Sequence, residues 1–581
     1  MTVATHLSAR GLAAGEPAAI VVVPGVGVAL AWAGGGLEVA AREPADVVAQ
    51  LLPADARWTW WSAREAAAPL VAAGAAVRAC WDLAAVGRLA HGLRRDDPAA
   101  LWAAAHGLAA PPAESRGGPD LFDLAGEDGA AVRADGQLSR EWLGGGWCAS
   151  LGAARRWAEL ALEVQHRQQA LLAALPDPRP APGRTQLAVL TAYAESAAAL
   201  LAVELEQRGL PLDRAVLSDL LRESIGPRPA DEEADAATRA ARDTEVLRHF
   251  PGAAADLRNP AQVRDLLARI GVVVPDTRSW RLEPHASTSA AVAALLAWRK
   301  AERIATTYGW RWLDQHVGAD GRLRGRWNAS DGGAGRMTAG AGLHNLPAEL
   351  RTAVRALPGR VLVRADLGQI EPRVLAAVSR DEALAAAARE NDLYAPVAAQ
   401  LRCDRPTAKV AVLAAMYGQT SGAAGAALRD MDRTYTRAMA YLRDAEEAGR
   451  TGRDIRTYGG RLLRLGREGA DAGDVEDGGG EHAQVTAGHG RFARNAVIQG
   501  AAAELFKAWA ATVRSGLGVL DGEIVMCLHD ELVVHVPAEH TDAAAQLLLD
   551  ALAATTGWWA AGSPVRFVAE VASGESWAAA H

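Results

Sequence analysis

The chain has 581 residues, half of them hydrophobic, a formal net charge of −8 and four scattered cysteines, Cys80, Cys148, Cys403 and Cys527. That length suits roughly three to four domains at about 150 residues each, and the negative charge argues against a protein that coats nucleic acid unselectively, though a local basic cleft works through its own field. No CxxC pair or zinc spacing is present, the opening MTVATHLSARGLAAGEPAAI lacks a secretory pattern, and no apolar run reaches the ~18 residues that span a bilayer; the sequence therefore predicts a reduced, cytoplasmic protein with no membrane partner.

Residues 19–32 (AIVVVPGVGVALAW) read as short strands, and Ala63–Ala73 and Leu83–Leu93 as helices, the first kinked or restarted at Pro69. These belong to a mixed α/β domain that ends at the proline-rich stretch Pro176–Gly183, the best linker candidate. Residues 186–316 are helical in pattern, with breaks at Pro227–Asp235 and Val274–Ser287, and 325–348 read as glycine-rich loop. Val361–Ala365 is a strand that runs into Asp366, and helices follow to about Ala448. Residues 466–490, rich in glycine and acids, read as a surface loop before a helix at Phe492–Arg514. Ile524–Leu528 and Leu532–Val536 are apolar strands around His529-Asp530-Glu531.

Two features carry chemistry. Asp366 and Asp530 each lie beside apolar strands, where a charge is costly unless paired or metal-bound. If one sheet brought both together they could hold two divalent cations, as in-line phosphoryl displacement uses; taken singly, each would more often cap a turn or pair with an arginine. In RPTAKVAVLAAMYG (405–418), Arg405, Lys409, Leu413 and Tyr417 lie four apart and form one stripe on a helix. Cations at one end and a ring at the other suit a nucleoside triphosphate, although a solvated basic face is the commoner explanation of such a stripe.

Together these segments resemble the motifs of bacterial family A DNA polymerases. DLGQIEPR (366–373) resembles DYSQIELR; Arg405, Lys409, Leu413, Tyr417 and Gly418 match R-x3-K-x3-F-x3-YG; and His529-Asp530-Glu531 is the HDE motif. RKAERIATTY (299–308), GRMTAGAGLHNLP (335–347), RFARNAVIQGAAAE (491–504) and the final GESWAAAH resemble further family segments in the right order.

The resemblance implies an α+β multidomain chain with a right-hand polymerase fold: an antiparallel palm sheet (326–380 and 491–581), helical fingers (381–490), and a linker and thumb (186–325). It also implies that residues 1–185 form an α/β, ribonuclease H-like domain of 3′–5′ exonuclease type. The implied activity is template-directed 5′–3′ DNA synthesis from a primer and dNTPs, by a monomer acting on the nucleoid. Asp366 and Asp530 would bind two Mg2+, with Glu531 and Lys409 completing the catalytic set. Arg405, Lys409, Leu413, Tyr417, Gln369 and Glu371 would bind the nucleotide, Glu371 excluding a ribose 2′-hydroxyl. Arg336, Asn345, Arg491, Asn495, Gln499 and His529 would contact the primer–template. Three departures stand out: Leu413 replaces the stacking phenylalanine, Leu367-Gly368 replaces Tyr-Ser, and Pro372 replaces leucine at a position that still fits a first helical turn.

The exonuclease motifs are poorly kept. Only Asp82 falls at a matching position; Tyr193–Ala197, the nearest match to Y-x3-D, has no aspartate, and its Glu195 is displaced from the aspartate's place. One carboxylate cannot hold two cations, so proofreading is expected to be lost. Two other functions remain open on the sequence: a non-catalytic primer–template scaffold, suggested by Leu413, and a nuclease acting through the amino-terminal domain.

Overall fold

A computed structural model describes residues 12–51, 56–74, 76–111, 129–418, 424–466 and 481–580. The chain divides into two compact units: residues 1–209, 326–339 and 359–573 form the first, and 210–325, 340–358 and 574–581 the second.

The first unit opens with five strands, β1 (Pro17–Val23), β2 (Gly27–Trp32), β3 (Gly35–Ala40), β4 (Arg57–Trp60) and β5 (Cys80–Asp82), in the order β3-β2-β1-β4-β5. β1, β2 and β3 are antiparallel and β1, β4 and β5 parallel. The helix expected over 63–73 is two short ones, Ala63–Ala66 and Ala68–Ala72, with Pro69 in the first turn of the second, so the restart falls where proline lacks a donor. The next helix, α1, spans Leu83–His91, followed by α2 (Leu151–Ala173) and α3 (Leu187–Arg208). Both faces of the sheet are buried, by Trp58 and Trp60 on one side and Trp61, Trp81 and Trp157 on the other.

Three expectations bear on these elements. α3 is long and apolar enough to cross a membrane, yet 78% of its most apolar stretch is buried within the protein; it is a core helix, with Glu195 ion-paired at its middle. The proline-rich stretch 176–183 is mostly exposed but is anchored at Arg179. Arg179 is 4% exposed, paired to Asp177 at 2.6 Å, and donates to the Trp558 and Thr185 carbonyls. Segment 325–348 is not simply loop: Trp327–Asp331 and Arg336–Ala339 form a hairpin.

A second sheet in the same unit contains β6 (Arg360–Leu367), β7 (Glu523–Leu528), β8 (Glu531–Pro537) and β9 (Ala569–Gly574), in the order β7-β8-β6-β9. Around it lie α4 (Ile370–Ser379), α5 (Arg405–Tyr417), α6 (Thr436–Thr451), α7 (Glu481–Leu517) and α8 (Thr541–Trp559). α7 starts eleven residues before the expected Phe492, so 481–490 is helix; the rest of the expected loop, from 467 to 480, lies outside the described residues. One of the glycines that argued for a loop, Gly490, serves packing, as does its neighbour Gly449. A Cβ on Gly449 of α6 would stand 2.3 Å from the His489 carbonyl oxygen, and one on Gly490 would meet Arg450 at 2.8 Å. Glycine lets the two backbones touch, and that burial outweighs its poor helix propensity.

The second unit is mainly helical: Arg214–Ile225, Glu232–Leu247, Pro260–Arg269, Ser279–Ala286, Ala290–Thr307 and Trp310–His316. Phe250, Leu266, Leu267, Leu282, Val292 and Leu295 form its core. The break near Pro227–Asp235 is present, whereas most of Val274–Ser287 is a short helix containing Pro284.

Candidate active site

β6 alternates buried and half-buried residues and ends at Asp366 and Leu367. It pairs antiparallel with β8, placing Asp366 opposite Glu531. β7 and β8 are joined by the two-residue turn His529-Asp530, closed by the Leu528–Glu531 pair. His529 adopts φ +47°, the left-handed conformation that such a tight turn requires. The Leu367 amide donates to the Asp530 carbonyl at 2.9 Å and ties the turn to the end of β6. One sheet thus brings together two acids distant in sequence.

Their charges interact. Burial, then the neighbouring Asp366 charge, pushes the Asp530 carboxyl up to about 6, and Glu531 and Glu371 push the same way. Burial also raises Asp366, against the pull of Arg364. Glu531 is 8% exposed and ion-paired with Arg364 at 3.0 Å. Among the described residues no group of three or more His, Cys, Asp or Glu side chains is arranged to hold a metal ion. A two-carboxylate site with excess negative charge nonetheless suits a hard cation such as Mg2+, which keeps waters and takes the rest of its oxygens from a substrate's phosphates.

α4 begins four residues after Asp366. Pro372 lies in its first turn, where its missing N–H costs nothing, and the helix continues unbroken. Gln369 stands just ahead at φ +56°, its amide donating to Asp392 at 2.8 Å and accepting from the Leu393 amide at 2.8 Å. Glu371 accepts from Arg336 at 3.2 Å and from the Tyr417 hydroxyl at 3.3 Å. Burial raises its carboxyl, with Arg336 and Tyr417 pulling it back. Tyr417 is also hydrogen-bonded by Gln499. The far end of α5 is therefore fixed beside the first turn of α4.

Asp404 caps α5 by accepting from the Thr407 amide at 2.8 Å. Arg405 and Lys409 are exposed, Leu413 is half-buried and Tyr417 is 37% exposed, while Ala408, Ala411, Val412 and Ala415 are buried. The stripe read from the sequence is the outward face of the helix. Arg405 is paired with Asp392 through two contacts, at 2.6 and 3.1 Å. On α7, Arg491 is exposed, and Asn495 and Gln499 are half-buried; His529 is exposed at its turn. Asn345 belongs to the second unit, where its carbonyl accepts from Arg303 at 2.7 Å.

Sequence reasoning missed three residues. Arg364 stands between Asp366 and Glu531, and the signal was a lone charge inside an apolar strand. Asp392 pairs with Arg405 and had no motif to mark it. Arg373, quoted only as a motif letter, is fully buried and donates to five carbonyls, of Gly368, Ala388, Glu390, Asn391 and Arg566. It clamps the loop that carries Asp392.

The exonuclease-type positions look different. Asp82 is 2% exposed, and three N–H groups use its oxygens: Ala85 at 2.7 Å, Ala63 at 2.5 Å and the Trp60 indole at 3.1 Å. It is the N-cap of α1. Glu195 is buried in ion pairs with Lys507, at 2.8 Å, and Arg461, at 2.7 Å.

In the second unit, one groove is lined by Arg258, Trp298, Arg299, Glu302 and Arg303, and its neighbour by Arg264, Arg278 and Arg299.

Residues 271–579 match the family described as DNA polymerase family A. The chain is 31% identical over 287 residues to DNA polymerase I of Chloroflexus aurantiacus, covering 45% of this chain and 30% of that protein. It is 26% identical over 317 residues to the thermostable DNA polymerase I of Thermus aquaticus, covering 50% and 36%. It spans about a third of the length of these curated relatives. A solved structure, the POL domain of Pol1 from M. smegmatis in complex with DNA primer–template and dNTP, is similar in fold. Its TM-score is 0.65 at 20% identity, over 99% of this chain and 98% of that one.

Proposed function

Because this chain belongs to DNA polymerase family A, we propose that it extends a DNA primer on a DNA template with dNTPs. The primer 3′-oxygen attacks the α-phosphorus of the dNTP, a new P–O bond forms, and the bond to pyrophosphate breaks. The observation that carries this reading is the meeting of Asp366 and Asp530 at adjoining strand ends, beside a helix that presents Arg405, Lys409, Leu413 and Tyr417 outward.

Asp366 and Asp530 would hold divalent cations, two Mg2+ in this reading. Such ions make the 3′-hydroxyl more acidic and neutralise the leaving pyrophosphate. Lys409 and Arg405 offset the triphosphate charge; an incoming triphosphate competes with Asp392 for Arg405. Leu413 gives the base apolar contact without a flat face. Tyr417 borders the template base, and Glu371, braced by Arg336 and Tyr417, fills the space of a ribose 2′-hydroxyl. Gln369, with its amide committed to Asp392 and Leu393, acts by fixing that loop. Arg336, Arg491, Asn495, Gln499 and His529 would contact primer and template; Asn345, in the second unit, would be a DNA contact of that unit by itself.

Residues 1–185 would be a ribonuclease H-like domain, a reading supported by its mixed sheet of three antiparallel and two further parallel strands. Its exonuclease chemistry would be lost, because Asp82 is committed to N–H donors and Glu195 to cations. The remaining boundaries would be a linker and thumb at 186–325, palm at 326–380 and 491–581, and fingers at 381–490. The protein would work as a monomer on cytoplasmic DNA.

Extension of a labelled primer with one dNTP tests the reading. A polymerase lengthens the primer by the templated nucleotide. Retardation on a native gel without lengthening, or a shortened primer, would contradict it.

A further inference from the structure

Arg364 takes no part in the roles proposed above. β6 is a strand, so Arg364 and Asp366 share a face. The guanidinium is 12% exposed; its Nη2 lies 2.7 Å from Asp366 Oδ2 and its Nε 3.0 Å from Glu531 Oε1. Asp366 and Glu531 are opposite one another in the β6–β8 register, so one cation bridges the acids of two adjoining strands. Asp530 is the next residue to Glu531, and Glu570, on β9, adds a further negative charge felt at Asp366. Arg364 is therefore the basic group paired directly with two acids, Asp366 and Glu531, and Asp366 in turn feels Glu570 and acts on Asp530.

We propose that Arg364 is the resident counter-cation of this carboxylate site. It is a positioning residue: it holds Asp366 and Glu531 in place before any divalent cation arrives, and it keeps the affinity for that cation low. The inference rests on the reading of Asp366 and Asp530 as the cation-binding pair. The physical argument has two parts. A planar guanidinium with fixed donors can bind two carboxylates at once, which orders them. The same charge repels a second cation nearby and occupies one oxygen of Asp366. Tight loading then requires the phosphate oxygens of the dNTP, so cation binding follows substrate binding rather than preceding it.

The test is a titration of the full chain with Mn2+ alone, without DNA or dNTP, read by the electron paramagnetic resonance signal of the free ion. Arg364→Gln should bind Mn2+ at least about five-fold more tightly than the wild type, as removal of a charge beside the site requires. Arg364→Lys, which keeps the charge, should remain within about two-fold of the wild type. Arg364→Met keeps the apolar stem and serves the same comparison if the glutamine variant does not fold. A purely structural arginine would alter thermal stability and leave Mn2+ affinity unchanged or weaker, and that result would overturn the proposal. Asp366→Ala should lose the site; Mn2+ binding that survives in it would instead overturn the cation-binding reading.

Discussion

Glu371 shows how much one side chain can be made to decide. Arg336 holds one of its oxygens and Tyr417 the other, so the carboxylate cannot swing away to admit an extra hydroxyl without losing both partners. Glu371→Ala should therefore raise incorporation of ribonucleotides relative to deoxyribonucleotides by at least about ten-fold, one decade being about 1.4 kcal/mol of discrimination. The ratio of kcat/KM for one dNTP and its matching rNTP measures it, and an unchanged ratio would remove Glu371 from that role. The residues of this site were legible in the sequence because motif spacing survives: Asp366, Asp530, Lys409 and Tyr417 stand where the pattern put them. Arg364 and Asp392 were not, because Arg364 meets Glu531 only through the β6–β8 register, and Asp392 meets Gln369 and Arg405 only through the loop clamped by Arg373.

Between elements, buried charge does the joining. Glu195 on α3 meets Lys507 on α7 and Arg461 from the hairpin 455–463, all within 3% exposure. Removing the acid would leave two buried cations with only Glu504, whose carboxyl burial pushes up to about 7, as a counter-charge, so Glu195→Ala should destabilise the protein by about 3 kcal/mol. Urea denaturation measures this; a loss below about 1 kcal/mol would mean that the cluster relaxes into water. A histidine makes the same contact zone sensitive to acid. His91 ends α1, where Arg456 and Arg464 donate to the carbonyls of Ala90 and His91. Burial, and then the two guanidinium charges, lower His91 to about 4 from 6.5. The unfolded chain then binds the proton first, so stability is full above about 6.5 and falls as the pH drops toward about 4. His91→Gln should remove up to about 3 kcal/mol of that fall, as seen in stability measured across this pH range; an identical pH profile would show that His91 is already solvated. At this scale the sequence was only partly readable. β6, β7, β8 and α5 follow from apolar runs and spacing. The early start of α7 and the anchoring of 176–183 through Arg179 do not, because glycine and proline signal irregular backbone locally while tertiary contacts decide the outcome.

Over the whole molecule, net charge and the proposed function point in opposite directions. A chain at −8 that binds a polyanion would do so through a local concentration of arginine. Arg258, Arg264, Arg278, Arg299 and Arg303 line two grooves of the second unit, while Arg336 and Arg491 lie in the first. Each phosphate neutralised releases counterions, so log K for primer–template should fall linearly with log salt, with a slope of about −0.9 per contact. Fluorescence anisotropy between 50 and 200 mM salt, about the span over which several contacts cost orders of magnitude, should show this; a flat profile would exclude a phosphate-tracking surface. The central claim, that Asp366 and Asp530 are the acids on which DNA synthesis depends, has a more direct test. Single-turnover extension of a labelled primer should be compared for the wild type, Asp366→Ala and Asp530→Ala, with primer–template binding and circular dichroism recorded on the same preparations. The account predicts that both variants fold and bind DNA yet lose at least about a thousand-fold in rate, roughly 4 kcal/mol of barrier; a variant that folds, binds and extends within about ten-fold of the wild type would contradict it.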